Sequence, residues 1–200
     1  MAQPIPEMVW IDMETTGLDE DRDVPLEIGF MVTDKFGHEI AHKSWIIVDE
    51  AWKDRVEDAK QDELVGPMHR NNGLWFDWDQ ALILGQNNPR YVQDKAMEWF
   101  DMKEVAYGQY PLAGSSLRLD RAFCKKYLPD IEYFFNYRII DISSDKEQCK
   151  LLNPRVYDKM AEESGWKDTK SHRVIPDIRD SIREYQYYQH NFLWVADGLD

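Results

Sequence analysis

Cysteine is scarce in this chain, with Cys124 and Cys149 the two present in 200 residues. Their separation matches no metal or redox spacing, so they are read as reduced thiols of a cytoplasmic protein. Long apolar runs are missing as well. None approaches the ~20 residues that cross a bilayer, so no membrane association is expected. The first residues, Met-Ala-Gln-Pro-Ile-Pro-Glu, have neither the basic start nor the apolar stretch of a secretory signal. Positive charge is also in short supply: 24 Lys and Arg stand against 38 Asp and Glu, for a net charge of −14. A protein that grips long duplex by releasing counterions needs a basic face, and no Lys/Arg cluster here resembles one. A nucleic-acid substrate would have to be short, or held through metals and a few placed cations. What the chain does have is apolar and aromatic material, 43% and 13% of residues with 8 Trp. That suffices for one sizeable core, so residues 1–200 are read as a single domain.

The first chemistry-bearing stretch is Met8 to Leu18, in which Asp12 and Glu14 stand two apart on an apolar, β-prone run. Residues i and i+2 of a strand share a face, so the two carboxylates lie side by side. They repel unless a cation sits between them, and hard oxygen ligands suit magnesium or manganese. Most Asp-x-Glu pairs are nevertheless solvated surface acids, and the pair alone decides nothing.

Strands are predicted at Val9–Met13, Leu26–Thr33 and Ile40–Val48, the last two joined by the turn Asp34-Lys35-Phe36-Gly37. Together they make an antiparallel meander. Residues 50–63 read as a lid-like excursion or a solvated helix. Residues 68–74 read as a polar turn whose His69 is by default a surface side chain. Helices are expected over 78–84 and 91–102, the latter with Val92, Ala96, Trp99 and Phe100 at helical spacing. A fourth strand from Tyr110 to Gly114 precedes a helix over 119–128. Asp120 falls in its first turn, where an acid also simply complements the helix dipole. A short strand, 137–141, is followed by a helix that Ser143 can cap. A helix from Pro154 closes at Gly165, and the last runs from Ile178 to about Phe192. Asp177 stands at its start and Pro176 at or near the first helical position. This is a mixed α/β pattern: a three-strand meander plus strands that alternate with helices.

Asp12, Glu14, Asp120, His172 and Asp177 are ordinary residues taken singly. In chain order they form Asp-x-Glu on a first strand, Asp opening a middle helix, and His-x4-Asp opening the last. That order resembles the DEDDh 3′-to-5′ exonucleases, and more closely the oligoribonuclease family. The resemblance is carried by Val9-Trp-Ile-Asp-Met-Glu-Thr-Thr-Gly-Leu18, Leu26-Glu-Ile-Gly-Phe-Met-Val-Thr-Asp34, Ala113-Gly-Ser-Ser-Leu-Arg-Leu-Asp-Arg121, Tyr133-Phe-Phe-Asn-Tyr-Arg-Ile-Ile-Asp-Ile-Ser143 and Asp177-Ile-Arg-Asp-Ser-Ile-Arg-Glu184. It implies a ribonuclease H-like fold, a mixed central sheet flanked by helices. It also implies a homodimer and two divalent ions held by Asp12, Glu14, Asp120 and Asp177. His172 would be the general base, a role that an unperturbed pKa of ~6.5 suits.

Hydrolysis of a phosphodiester needs an activated water and a stabilised leaving alkoxide. Two metals ~3.5–4 Å apart serve both ends of the displacement, which makes an otherwise costly acidic cluster useful. For substrate, the resemblance implies dinucleotides and short oligoribonucleotides. Leu18 would wedge between two bases, and Ser116, Arg138 and Ser143 would cap a 5′ phosphate. His69 would line the pocket, and Tyr137 would be supplied across the dimer interface. A broader exonuclease acting on single-stranded DNA or longer RNA ends is the alternative within the same fold. A catalytically silent nucleic-acid or partner-binding module is the alternative outside it, and no acid is missing to suggest one. Two departures stand out. Leu64 occupies the place of a tryptophan that stacks on a base, leaving Trp52 or Trp75 to substitute. Pro176 replaces a second acid and disfavours helical geometry at Ile175, which bears on where His172 rests.

Overall fold

The turn at residues 34–37 is held by Asp34, whose carboxylate accepts from the backbone N–H groups of Phe36 and His38 (both 2.9 Å). In the computed structural model, which describes residues 5–163 and 171–193, this turn joins two strands of the expected meander. The strands are β1 (Met8–Thr15), β2 (Pro25–Thr33) and β3 (Glu39–Ile46). A 3-10 turn (Glu50–Trp52) leads into α1 (Lys53–Gln61), α2 (Val65–Asn71), α3 (Leu74–Ile83) and α4 (Pro89–Met102). Then follow β4 (Leu112–Gly114), α5 (Arg118–Tyr127), α6 (Pro129–Phe134), β5 (Ile139–Asp141), α7 (Ile142–Leu152), α8 (Pro154–Glu163) and α9 (Val174–Tyr188). The sheet order is β3-β2-β1-β4-β5. The first three strands pair antiparallel, and β4 and β5 are added in parallel.

Alternation along β1 decides which side chains meet which layer. Val9 and Ile11 join Ile28 and Phe30 of β2 in the core that holds Trp78 of α3 and Phe100 of α4. Met8 and Trp10 point the other way and pack with Met31, Ile178 and Tyr185. Trp10 meets Tyr185 edge to face at 5.4 Å, and its indole N–H donates to Thr33 Oγ1 at 2.9 Å. By period two, Asp12 and Glu14 continue the Trp10 face. They are therefore aimed at the start of α9, where Asp177 stands.

Gly29 pairs with Asp12 across the ladder and faces the same helix. A Cβ there would lie 2.5 Å from Val174 Cγ2. Gly29→Ala should push back the first turn of α9, costing about 1–3 kcal/mol by overpacking. Urea denaturation checks the stability. Turnover should fall as well, because His172 and Asp177 move with Val174.

Several sequence expectations change. Residues 50–63 hold the helix of the two alternatives, α1, but with Trp52, Val56 and Ala59 buried it is not simply a solvated one. The supposed polar turn at 68–74 is largely α2, and His69 is completely buried. Helix α6 was not anticipated. β4 and β5 are shorter than expected, which leaves Tyr137 and Arg138 outside the ladder. Asp141, not Ser143, caps α7: its carboxylate accepts from Ser143 N at 3.0 Å. Helix α9 starts at Val174, so Ile175 is helical and Pro176 is the third residue of the helix. Proline is tolerated there because first-turn N–H groups have no intrahelical acceptor. Gly165, expected to end α8, lies outside the described residues.

Candidate active site

Glu14, His172 and Asp177 converge: one ligand atom of each lies within 4.8 Å of the others. Asp12 and Asp177 line a cavity of about 160 Å³, together with Ser115, Ser116, Asp180, Ser181 and Glu184. Asp120, in the first turn of α5, is 8% exposed. Residues from opposite ends of the chain thus meet because β1 presents the Trp10 face to α9.

The electrostatics are those of a site built for positive charge. Burial raises the Glu14 carboxyl to about 8, and the charges of Asp177, Glu27 and Asp120 add to the rise, against a lowering by Arg173. Burial likewise raises Asp120 to about 7, with Asp141 contributing. Desolvation disfavours a carboxylate and a neighbouring carboxylate disfavours it again. A dication reverses both effects, and oxygen donors in this number suit magnesium or manganese. The acidic cluster can therefore hold a metal ion.

His172 has a left-handed backbone, φ 49°, so the chain bends just before α9 and the imidazole lies beside Glu14 and Asp177. Ser171 Oγ donates to Asp177 Oδ1 at 3.1 Å. Burial lowers His69 to about 4, so it is neutral at pH 7. Its Nε2 lies 3.2 Å from Thr15 O. A carbonyl only accepts, which assigns the proton to Nε2. Trp75 packs edge-on against the His69 ring at 5.0 Å.

Ser116 sits in the β4–α5 loop at φ 62°. Its N–H and that of Leu117 donate to the two Asp141 carboxylate oxygens at 2.9 and 3.2 Å, and Ser143 Oγ donates to Oδ1 at 2.7 Å. Asp141 therefore ties Ser116 to Ser143. Tyr137 is exposed with the Arg138 guanidinium 4.9 Å above its ring; this pair packs on itself and not on the acidic cavity. Leu18, beyond β1, is 75% exposed.

Leu64 is 81% exposed. With Met68, Asn71, Asn72, Ser171, His172 and Arg173 it lines a cleft of about 720 Å³ next to the acids. Neither proposed replacement for the stacking tryptophan is available. Trp52 is buried against Tyr127. Trp75 is buried with its indole N–H donating to Gly66 O at 3.0 Å.

Four residues that the sequence reading did not single out hold the site together: Glu27, Asn72, Asp141 and Arg173. Glu27 did carry a signal, being a charge within an otherwise apolar strand. The other three look like surface polar residues in sequence.

The family model described as Exonuclease matches residues 81–185. The chain is 35% identical to an oligoribonuclease of Aromatoleum aromaticum over 96% of its own length and 98% of that protein's. It is 32% identical to one of Klebsiella pneumoniae, covering 93% and 95%. Among solved structures, exonuclease I from Methylocaldum szegediense aligns with a TM-score of 0.59 at 15% identity. Escherichia coli exonuclease I in complex with a dA16 oligonucleotide aligns with 0.60 at 13%. Each alignment covers 93% of this chain and 41% of the larger one. At such identity the likeness concerns the fold alone, a ribonuclease H-like α/β sheet.

Proposed function

The chain belongs to the oligoribonuclease family of exonucleases, and on that premise we propose that it hydrolyses dinucleotides and short oligoribonucleotides to 5′-mononucleotides from the 3′ end. The observation that carries this reading is the convergence of Glu14, His172 and Asp177 beside the cavity that Asp12 and Asp177 share. Asp12, Glu14, Asp120 and Asp177 would hold two divalent ions, magnesium or manganese, whose charge favours water ionisation and the leaving 3′ oxygen. His172 takes the proton of the attacking water, since its imidazole stands at the edge of the acidic cluster. His69, neutral and fixed by Thr15 O, is fully buried and would act on the pocket from behind its wall, through Glu14, whose Oε2 lies 3.9 Å from its Nε2. Leu18 is free to wedge between bases. Ser116 and Ser143, joined through Asp141, would cap a 5′ phosphate, with Arg138 joining them by swinging off the Tyr137 ring on which it rests.

The reading extends to a homodimer. β5 is an edge strand, with Ile139 exposed, and Tyr137, Leu151 and Leu152 are exposed as well. A second copy covering this edge would bring Tyr137 to its partner's pocket. The net charge of −14 suits a substrate with few phosphates. Residues 1–200 act as one catalytic domain in this account. Cytoplasmic residence accords with two buried free cysteines and with the absence, among the described residues, of any helix long and apolar enough to cross a membrane.

One feature favours a second reading. The wide cleft walled by Leu64 instead of an aromatic side chain would also admit longer RNA or single-stranded DNA. A time course on 5′-labelled RNA and DNA of two to about twenty nucleotides, in magnesium or manganese, separates the two. Fastest loss of diribonucleotides supports the first reading. Accumulation of dinucleotides from long strands overturns it. Arg138→Ala should raise KM for 5′-phosphorylated dinucleotides about 10- to 100-fold, the worth of a charged phosphate contact. An equal loss on twenty-nucleotide strands would remove the phosphate cap from the account.

A further inference from the structure

Arg173, directly after His172, is tied to three elements. Its Nε donates to Glu27 Oε2 at 2.8 Å and its Nη2 to Glu27 Oε1 at 3.3 Å, on β2. Its Nη1 lies 2.9 Å from Asp77 Oδ2 on α3 and 3.3 Å from Asn72 O, in the turn between α2 and α3. Glu27 is 4% exposed and lies directly across the ladder from Glu14. Like charges opposite one another destabilise a sheet, and the guanidinium fork matches Glu27 in two places, as Arg and not Lys can. The side chain of Asn72 works from the other side. Its amide donates to the carbonyl of His172, while its Oδ1 accepts from Leu74 N at 2.9 Å.

These bonds close on a residue whose backbone conformation is uncommon outside glycine. A left-handed, non-glycine backbone such as that of His172 is strained and persists only where the surroundings over-determine it. We propose that Arg173 is a positioning residue: with Glu27, Asp77 and Asn72 it locks the left-handed bend that directs the His172 imidazole at the reacting water. The inference rests on His172 acting as general base. It assigns the Arg173 contacts to the chemical step and not to substrate affinity, because the guanidinium is committed to protein acceptors.

The test uses the full-length enzyme at saturating magnesium with a 5′-phosphorylated diribonucleotide. Arg173→Ala should lower kcat about 100-fold, the scale of a 1 Å misplacement of a catalytic group, with KM within about twofold of the parent. Glu27→Gln should lower kcat in the same direction. In a His172→Ala background, Arg173→Ala should add no further loss. Should Arg173→Ala fail to fold, Arg173→Lys keeps the charge but cannot span Glu27, Asp77 and Asn72 together, and is expected to show an intermediate kcat at unchanged KM. A rise in KM at parental kcat would overturn the proposal, as would losses that multiply in the double variant. If His172→Ala turns over like the parent, the general-base reading falls and this one with it. If His172→Ala is inactive and the Arg173 variants are not, only the positioning role fails.

Discussion

Asp12→Asn should reduce hydrolysis of a diribonucleotide in magnesium by at least about 1,000-fold, while the protein stays folded. Asparagine keeps the shape of the side chain and removes the charge. Asp12 faces α9 on the same side of β1 as Glu14 and shares the 160 Å³ cavity with Asp177 and Ser116. Under the proposed function it would be one of the four acids that hold the ions. Losing it removes several kcal/mol of charge stabilisation that exists only where the phosphate reacts, and about 4 kcal/mol corresponds to 1,000-fold. The fold should not suffer, because one negative charge leaves a cluster in which burial and mutual repulsion already raise the carboxyl pKa of Glu14. Initial rates at rising magnesium, beside a thermal melt in chelator, provide the check. Activity within tenfold of the parent would show that the acids at this site do not share a metal through Asp12.

The parts of this molecule that could be read from its sequence are those governed by local periodicity. The meander was visible because Leu26 to Val32 carries no polar side chain but Glu27, and because Asp34 and Gly37 mark the turn. The orientation of Asp12 and Glu14 followed from the two-residue period alone. Helix α2 was not visible. Gly66, Pro67 and two asparagines obscure any helical pattern, and the helix is held from outside by Asp62, whose carboxylate accepts from Leu64 N and Val65 N at 2.8 and 2.9 Å. Gly66 is required there, since a Cβ would lie 2.5 Å from Lys60 O. The burial of His69 depends on Trp75 and on Thr15 O, 54 residues away, and no local pattern encodes that. Asp120, His172 and Asp177 were connected to β1 through family resemblance, because spacing cannot bring them together. Arg173 shows the limit best. In sequence it is one basic residue beside a histidine, and its meaning comes from a carboxylate 146 positions earlier on β2.

Glu14→Gln should leave the metal-free protein more stable than its parent at alkaline pH, by about 2–4 kcal/mol. An unfolded glutamate titrates near 4.5 and folded Glu14 near 8. The folded state therefore holds a proton that the unfolded state has lost. Stability from this group is complete below pH 4.5 and falls as pH rises to about 8. Asp120, raised from 3.8 to about 7, acts in the same sense over a lower range. His69 opposes them: its pKa falls from 6.5 to about 4 on folding, so its contribution grows between pH 4 and 6.5 and is level above. The window from pH 6.5 to 8 isolates the acids. Urea denaturation in chelator should show the parent losing stability across that window and Glu14→Gln losing less. Magnesium should reverse the slope for the parent, since an ion binds the ionised carboxylates that the metal-free fold penalises. The same addition should do little for Glu14→Gln, which lacks one ligand charge. Parallel pH slopes for the two proteins in chelator would mean that Glu14 is not the group carrying the penalty. A slope unaffected by magnesium would separate the acidic cluster from metal binding altogether.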